Sequence, residues 1–248
     1  MEPQSTTKRS QSIEEYLEAI YKLALGDGVT VSKLANELHI SPPSVSQMLV
    51  RLQDAGLVSR GSNGSIALTE RGQTEGARLV RRHRLSERFL TDYLNLPWDQ
   101  VHDTACELEH ALNDEVTERL DERLGHPRTC PHGNPIPDVE GRLPQEAAVA
   151  LSELVAGEEC TIDHISDERP EMLRYLSSLG LLLGTRVKVE GVAPFGGPFL
   201  ISVGGARYAL GREVAARIFV HDVHGRPSLA RGRGKGRRRM RGPRHGLA

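Results

Sequence analysis

The chain has 248 residues, enough for two or three domains, and with 38% apolar and 4% aromatic residues each core must be small. No apolar run is long enough to span a bilayer, and the first twelve residues lack an apolar signal core, so a cytosolic protein with no membrane partner is expected. Three cysteines, Cys106, Cys130 and Cys160, argue against a disulfide framework and leave thiols free for metals. The net charge of −1 hides an asymmetry: nine Lys/Arg and no acid lie between His224 and Ala248, and the rest of the chain therefore carries −10. Such a tail contacts nucleic acid or is a solvated end, and its Gly and Arg content forbids a packed core.

Taken in order, residues 12–24 read as a helix. Ser12 suits an N-cap with Glu15 three residues on, and Ile13, Tyr16, Leu17, Ile20 and Leu23 recur at helical spacing. Glu15 and Glu18 share another side, and without a partner they read as cap and solvated face. Gly26-Asp27-Gly28 ends the helix. A short helix over 33–38 is followed by a tight turn at His39-Ile40. Ser41 then caps a second helix, with Pro42 and Pro43 in the first turn, where the missing N–H groups cost nothing. Gly56 closes it. This helix-turn-helix runs directly into a hairpin, 57–60 and 65–68, about the turn Gly61-Ser62-Asn63-Gly64. Together they form a winged helix whose second helix enters the DNA major groove. That places Ser41, Pro43, Ser44, Ser46 and Gln47 toward base edges or phosphates, and Arg51 and Arg60 toward phosphates. A winged helix that binds protein instead remains a minority alternative.

A long helix over 69–94, capped by Thr69, carries His83 and Glu87 one turn apart, and His83 lies in an otherwise solvated basic run from Arg81 to Arg84. After Pro97-Trp98, a helix over 99–112 places His102, Cys106, Glu109 and His110 on one side. Imidazole, thiolate and carboxylate are the donors proteins use for divalent transition metals. Alone, this stretch is equally a surface helix with chance donors. A further helix covers 114–124. Leu90, Leu94, Val101, Leu108, Leu112, Val116 and Leu120 exceed what so thin a layer buries, which points to packing against a second copy. A Pro/Gly-rich loop over 125–143 holds Cys130-Pro131-His132, a weak metal signal that lacks the second pair of a closed zinc finger.

From Gln145 the pattern changes to short strands at 160–165, 187–192, 199–203, 206–210 and 218–221, with a helix over 170–179 and a one-turn helix at 213–216. Evenly spaced strands with glycine turns suggest a small barrel. Cys160, within a strand, reads as core.

With these three segments in this order, the chain resembles the DtxR/MntR family of metal-dependent transcriptional repressors, in its long form with a C-terminal FeoA/SH3-like domain. The resemblance spans 12–222. It rests on Ser44-Val45-Ser46-Gln47, on Arg82-His83-Arg84-Leu85 with Glu87-Arg88, on Val101-His102-Asp103 with Ala105-Cys106 and Glu109-His110, and on Gly133-Asn134-Pro135-Ile136-Pro137. It implies an α+β fold: a winged-helix DNA-binding domain over 1–74, a helical dimerisation and metal-binding domain over 75–142, an SH3-like β-barrel over 143–223 and a basic tail over 224–248.

The resemblance further implies two metal sites per subunit. The primary site takes Glu15, Glu18, His83, Cys106, Glu109 and His110. The second takes Glu87, Cys130, His132 and Asp167, with Glu168 and Glu171 as competitors for the last place. In iron-responsive members His102 would instead join His83 and Glu87. Carboxylates at Glu15 and Glu18 and the Cys130–His132 pair favour Mn²⁺; Cys106 is the feature that points toward Fe²⁺. The expected protein is no enzyme. It is a homodimer that binds double-stranded operator DNA when loaded with metal, with no small-molecule substrate. A metallohydrolase built on the same cluster finds no supporting motif, and a redox regulator using Cys106 is the remaining rival.

Overall fold

The computed structural model describes residues 4–26, 28–61, 64–144 and 148–225. The basic tail beyond Gly225 lies outside the described residues, as do Asp27 and the Ser62-Asn63 turn. The first helix, α1 (Gln4–Ala24), is longer than the sequence suggested. Ser12 lies inside it and is not its cap, because no glycine or proline interrupts residues 4–11.

Helix α2 (Val31–Glu37) begins where the Thr30 hydroxyl accepts from the Lys33 N–H, and α3 (Pro42–Asp54) where Ser41 accepts from the Ser44 N–H. Strands β1 (Val58–Arg60) and β2 (Ile66–Leu68) pair antiparallel, with Val58 opposite Leu68, and form the wing. Leu17, Ile20, Leu34, Val45, Leu49, Leu52, Val58 and Ile66 bury together as the core of this unit. The long helix α4 (Glu70–Asp92) is capped by Thr69. It starts tight against the wing: a Cβ at Gly72 would meet the Leu57 carbonyl oxygen at 1.9 Å, so only glycine fits.

The expected continuous helix over 99–112 is broken into a single 3₁₀ turn, Trp98–Gln100, and α5 (His102–Glu109). The break tucks Val101 into a small cluster with Leu90 and Ala105. Helix α6 (Asp114–Arg123) follows, with the Asn113 side chain accepting from the Val116 N–H. The Arg81–Arg84 run is not solvated. Arg81 and Arg84 are buried, and they donate to the carbonyls of Pro137 and Pro135 in the loop over 125–143.

The C-terminal unit is one antiparallel sheet of six strands in the order β3-β8-β4-β5-β6-β7. These are β3 (Val149–Ala150), β4 (Glu159–Ile165), β5 (Arg186–Val192), β6 (Phe199–Val203), β7 (Ala206–Leu210) and β8 (Ile218–His224). Register shifts between β4 and β8 and between β5 and β6 bend the sheet. Helices α7 (Pro170–Ser178) and α8 (Arg212–Ala215) contribute Leu173, Leu176 and Ala215 to its core. Cys160 lies in that core, its thiol pushed up to about 12 by burial.

Candidate metal centre

Two groups of donors meet where α1, α4, α5, the 125–143 loop and the segment before α7 converge. Helical periodicity builds the first. Glu18 (α1), His83 (α4) and Glu109 (α5) are all buried and present donor atoms within 4.8 Å of one another. His83 Nδ1 lies 2.7 Å from Glu109 Oε2 and 3.7 Å from Glu18 Oε1. Cys106 Sγ, one turn before His110, is 3.9 Å from His83 Nδ1. His110 Nδ1 stands 2.7 Å from Glu14 Oε2.

The second group is Glu87, Cys130, His132 and Glu168, again with donors within 4.8 Å. His132 Nδ1 is 3.4 Å from Glu87 Oε1, 3.7 Å from Glu168 Oε1 and 3.8 Å from Cys130 Sγ. The His132 ring is held from behind by its Nε2 contact of 2.8 Å to the Trp98 carbonyl. His102 also faces this group, with Nδ1 3.5 Å from Glu87 Oε1 and 3.3 Å from Glu168 Oε2. The loop is seated on the C-terminal unit by the Asn134 amide, which donates to the Ile165 carbonyl and to Glu168 Oε1. Gly133 permits this approach: its φ is +85°, and a Cβ would lie 2.3 Å from the Asp163 carbonyl oxygen.

Charge follows from these contacts. Burial raises Glu109 to about 8 even against the neighbouring imidazole. Burial would raise Glu18 too, but Lys22 and His83 prevail and hold it at about 2. His102 and His132 resist their burial and sit at about 11, because thiol and carboxylate partners hold their protons. The Cys106 thiol, despite burial, is drawn down to about 6 by His102 and His83. Both groups therefore combine buried carboxylates with imidazoles that favour their protonated form.

The donor chemistry fits a divalent transition ion. Metal–ligand bonds of about 2.0–2.2 Å place neighbouring donors roughly 3–3.5 Å apart, and most of the separations above lie close to that range. Glu87 Oε2 is buried without a hydrogen-bond partner among the described residues, an atom that a cation would satisfy.

Two sequence expectations change in detail. Glu15 is exposed, and Glu14 is the residue that reaches His110. Residues four apart stack on one face whereas adjacent ones diverge, so Glu14, Glu18 and Lys22 form the inward stripe. Asp167 is engaged by Arg169, at 2.9 Å and 2.6 Å, and its neighbour Glu168 enters the second group. Lys22 belongs to no donor motif in the sequence, and only its i,i+4 spacing from Glu18 points to this site. On the DNA side, Ser41, Pro43, Ser44, Gln47, Arg51 and Arg60 are exposed and Ser46 is half-buried.

Three family models match: the iron-dependent repressor N-terminal DNA-binding domain over residues 8–63, the iron-dependent repressor metal-binding and dimerisation domain over 69–138, and the FeoA domain over 149–222. The iron-dependent repressor IdeR of Mycobacterium leprae is 34% identical over 225 residues, covering 85% of this chain and 96% of that protein. A manganese-dependent transcriptional repressor solved in complex with manganese is 36% identical with a TM-score of 0.77, over 84% of this chain and 98% of that one. IdeR of T. acidophilum is 30% identical with a TM-score of 0.72, over 84% and 96%. The winged helix, the donor-bearing helices and the FeoA sheet thus occur in the order of these relatives, and the chain belongs to the DtxR/IdeR/MntR family of metal-dependent transcriptional repressors.

Proposed function

We propose that the chain represses transcription as a homodimer on double-stranded operator DNA, with Mn²⁺ as the corepressor and Fe²⁺ as the alternative, using two metal sites per subunit. The convergence of Glu18, His83 and Glu109 from two domains carries this reading. Glu18 lies on α1, packed in the core of the winged helix, while His83 and Glu109 lie on the helices of the dimerisation segment. The primary site is Glu18, His83, Cys106, Glu109 and His110, with Glu14 as a further carboxylate from α1. Glu15 would join only if α1 turned by about 100°, the angle between successive helical residues. The second site is Glu87, Cys130, His132 and Glu168, with His102 beside it.

A bound divalent ion supplies the positive charge that replaces the protons now held among these donors. Glu18 and His83 then fix α1 against α4, and with it the spacing of the two α3 helices of a dimer, which sets a half-site separation of about one helical turn or a multiple. Without the ion the tie between α1 and α4 is weaker, so metal shifts an existing equilibrium. Exposed Leu94 and Val116 supply apolar surface for the second copy. Gln47 and the serines of α3 read the groove, Arg51 and Arg60 hold phosphates, and the basic tail adds salt-dependent affinity. No described helix is long and apolar enough to cross a membrane. We place the protein in the cytoplasm, without catalytic activity.

Anaerobic binding to genomic DNA fragments across Mn²⁺, Fe²⁺, Zn²⁺ and metal-free conditions tests the proposal. Retention of discrete fragments with Mn²⁺ and not without it is expected. Metal-independent retention, or retention switched by peroxide alone, would replace it with the redox reading.

A further inference from the structure

Lys22 is a basic side chain lodged between the two donor groups. It sits one turn beyond Glu18 on α1, with Nζ 2.8 Å from Glu18 Oε1 and 3.6 Å from Glu168 Oε2. Its side chain is 21% exposed, and those of Glu18 and Glu168 are 9% and 8% exposed. Glu18 belongs to the first group and Glu168 to the second. One ammonium therefore touches both, and links the helix of the winged domain to the C-terminal sheet domain.

The contact is competitive at the level of single atoms. Glu18 Oε1, which faces His83 Nδ1 at 3.7 Å, is the same oxygen that Lys22 holds. Glu168 Oε2, which faces His102 Nδ1 at 3.3 Å, is likewise the oxygen nearest Lys22. A lysine ammonium is a compact point charge on a flexible stem, able to occupy such a place and to leave it. Buried carboxylates need a countercharge, and here the chain provides one.

We propose that Lys22 is a tethered cation that holds Glu18 and Glu168 in the metal-free protein, latching the C-terminal domain onto α1, and that a divalent ion binds Glu18 only by displacing it. Lys22 then sets how much metal the switch requires. It is a positioning residue, not a ligand. The inference rests on the reading that Glu18 belongs to a metal site.

The test uses the full chain and Mn²⁺ alone, followed by calorimetry. Loss of a charge-assisted competitor in Lys22→Met and Lys22→Gln should tighten Mn²⁺ binding by about tenfold. Lys22→Arg, which keeps the charge, should stay within about twofold of wild type. Equal or weaker Mn²⁺ binding by both uncharged variants would overturn the proposal. The wild type gives an independent readout should those variants fail to fold: amine labelling of Lys22, followed by peptide mass spectrometry, should quicken several-fold on Mn²⁺ addition. Unchanged or slower labelling overturns it. A wild type that binds no Mn²⁺ would instead bring down the metal-centre reading itself.

Discussion

The two donor groups lie side by side yet are built in different ways. The first is carried by three helices, and its members recur at helical spacing: Glu14 and Glu18 on α1, Cys106, Glu109 and His110 on and just beyond α5. The second combines one helical residue, Glu87, with a loop pair, Cys130 and His132, and with Glu168 from the segment before α7. The helical group rests on backbone whose hydrogen bonds lie within each helix. The other rests on a loop held by Arg81, Arg84, Asn134 and Gly133. The first should thus answer mainly to loss of its own donors, and the second also to loss of the contacts that seat its loop.

The sharpest way to break the comparison is at the donors. Glu109→Ala should weaken metal-dependent operator binding by more than about 100-fold while leaving a folded dimer, since contacts merely supporting a ligand are already worth about 10–100-fold. Gel-shift titrations with and without Mn²⁺, beside circular dichroism, check this. A variant with wild-type affinity in metal would remove Glu109 from the site. For the second group, Glu168→Ala should lower affinity for one of two Mn²⁺ ions by about 10–100-fold. Asp167→Ala, which loses its contacts to Arg169, should stay within about twofold, because the Arg169 guanidinium is largely exposed and such pairs contribute little. Equilibrium dialysis distinguishes the two, and equal effects would count against the placement of Glu168.

The same contrast extends to the seating contacts. In the first group, Glu14→Ala should weaken Mn²⁺ binding about tenfold by releasing His110, more than Glu15→Ala does. The opposite order would mean that α1 turns about its axis on loading. In the second, Gly133→Ala forces a Cβ against the Asp163 carbonyl at a positive φ and should destabilise the chain by about 1–3 kcal/mol. A thermal midpoint equal to wild type would show that the loop is not seated as described.

Protons give the mildest perturbation. Burial holds the proton on Glu109 up to about 8, and partners hold those of His102 and His132 up to about 11. For each, the folded value lies above the unfolded one. Their contribution to metal-free stability is therefore full below the unfolded value and is lost as pH rises through the folded one. Metal requires the deprotonated donors. Mn²⁺ should therefore bind more tightly, and raise the melting temperature more, at pH 8 than at pH 6. Thermal scans at both values check the sign, and an increment that shrinks with pH would contradict it.

Much of the helical group was legible because α-helical spacing is a local rule. His102, Cys106, Glu109 and His110 could be placed on one face from residue intervals alone, whereas His83 entered through the family resemblance. The winged helix was legible for a similar reason: Ser41 with Pro42 and Pro43, and the Gly-rich turn, declare their elements through short-range backbone chemistry. The choice of Glu14 over Glu15 was harder, because an i,i+3 and an i,i+4 partner of Glu18 lie on nearly the same face. Only packing of α1 against α4 and α5 separates them. Asp167 and Glu168 are adjacent, and their sorting depends on which one Arg169 engages.

What the sequence determined by itself is the order of the three units and the shared helix face of His102, Cys106, Glu109 and His110. Those follow from periodicity, capping and composition, all of which act over a few residues. Tertiary structure alone decided that Glu168 rather than Asp167 faces Glu87, that Arg81 and Arg84 are buried, and that Lys22 stands between the two groups. These contacts join residues dozens to more than a hundred positions apart, and no local preference of the chain encodes such a distance.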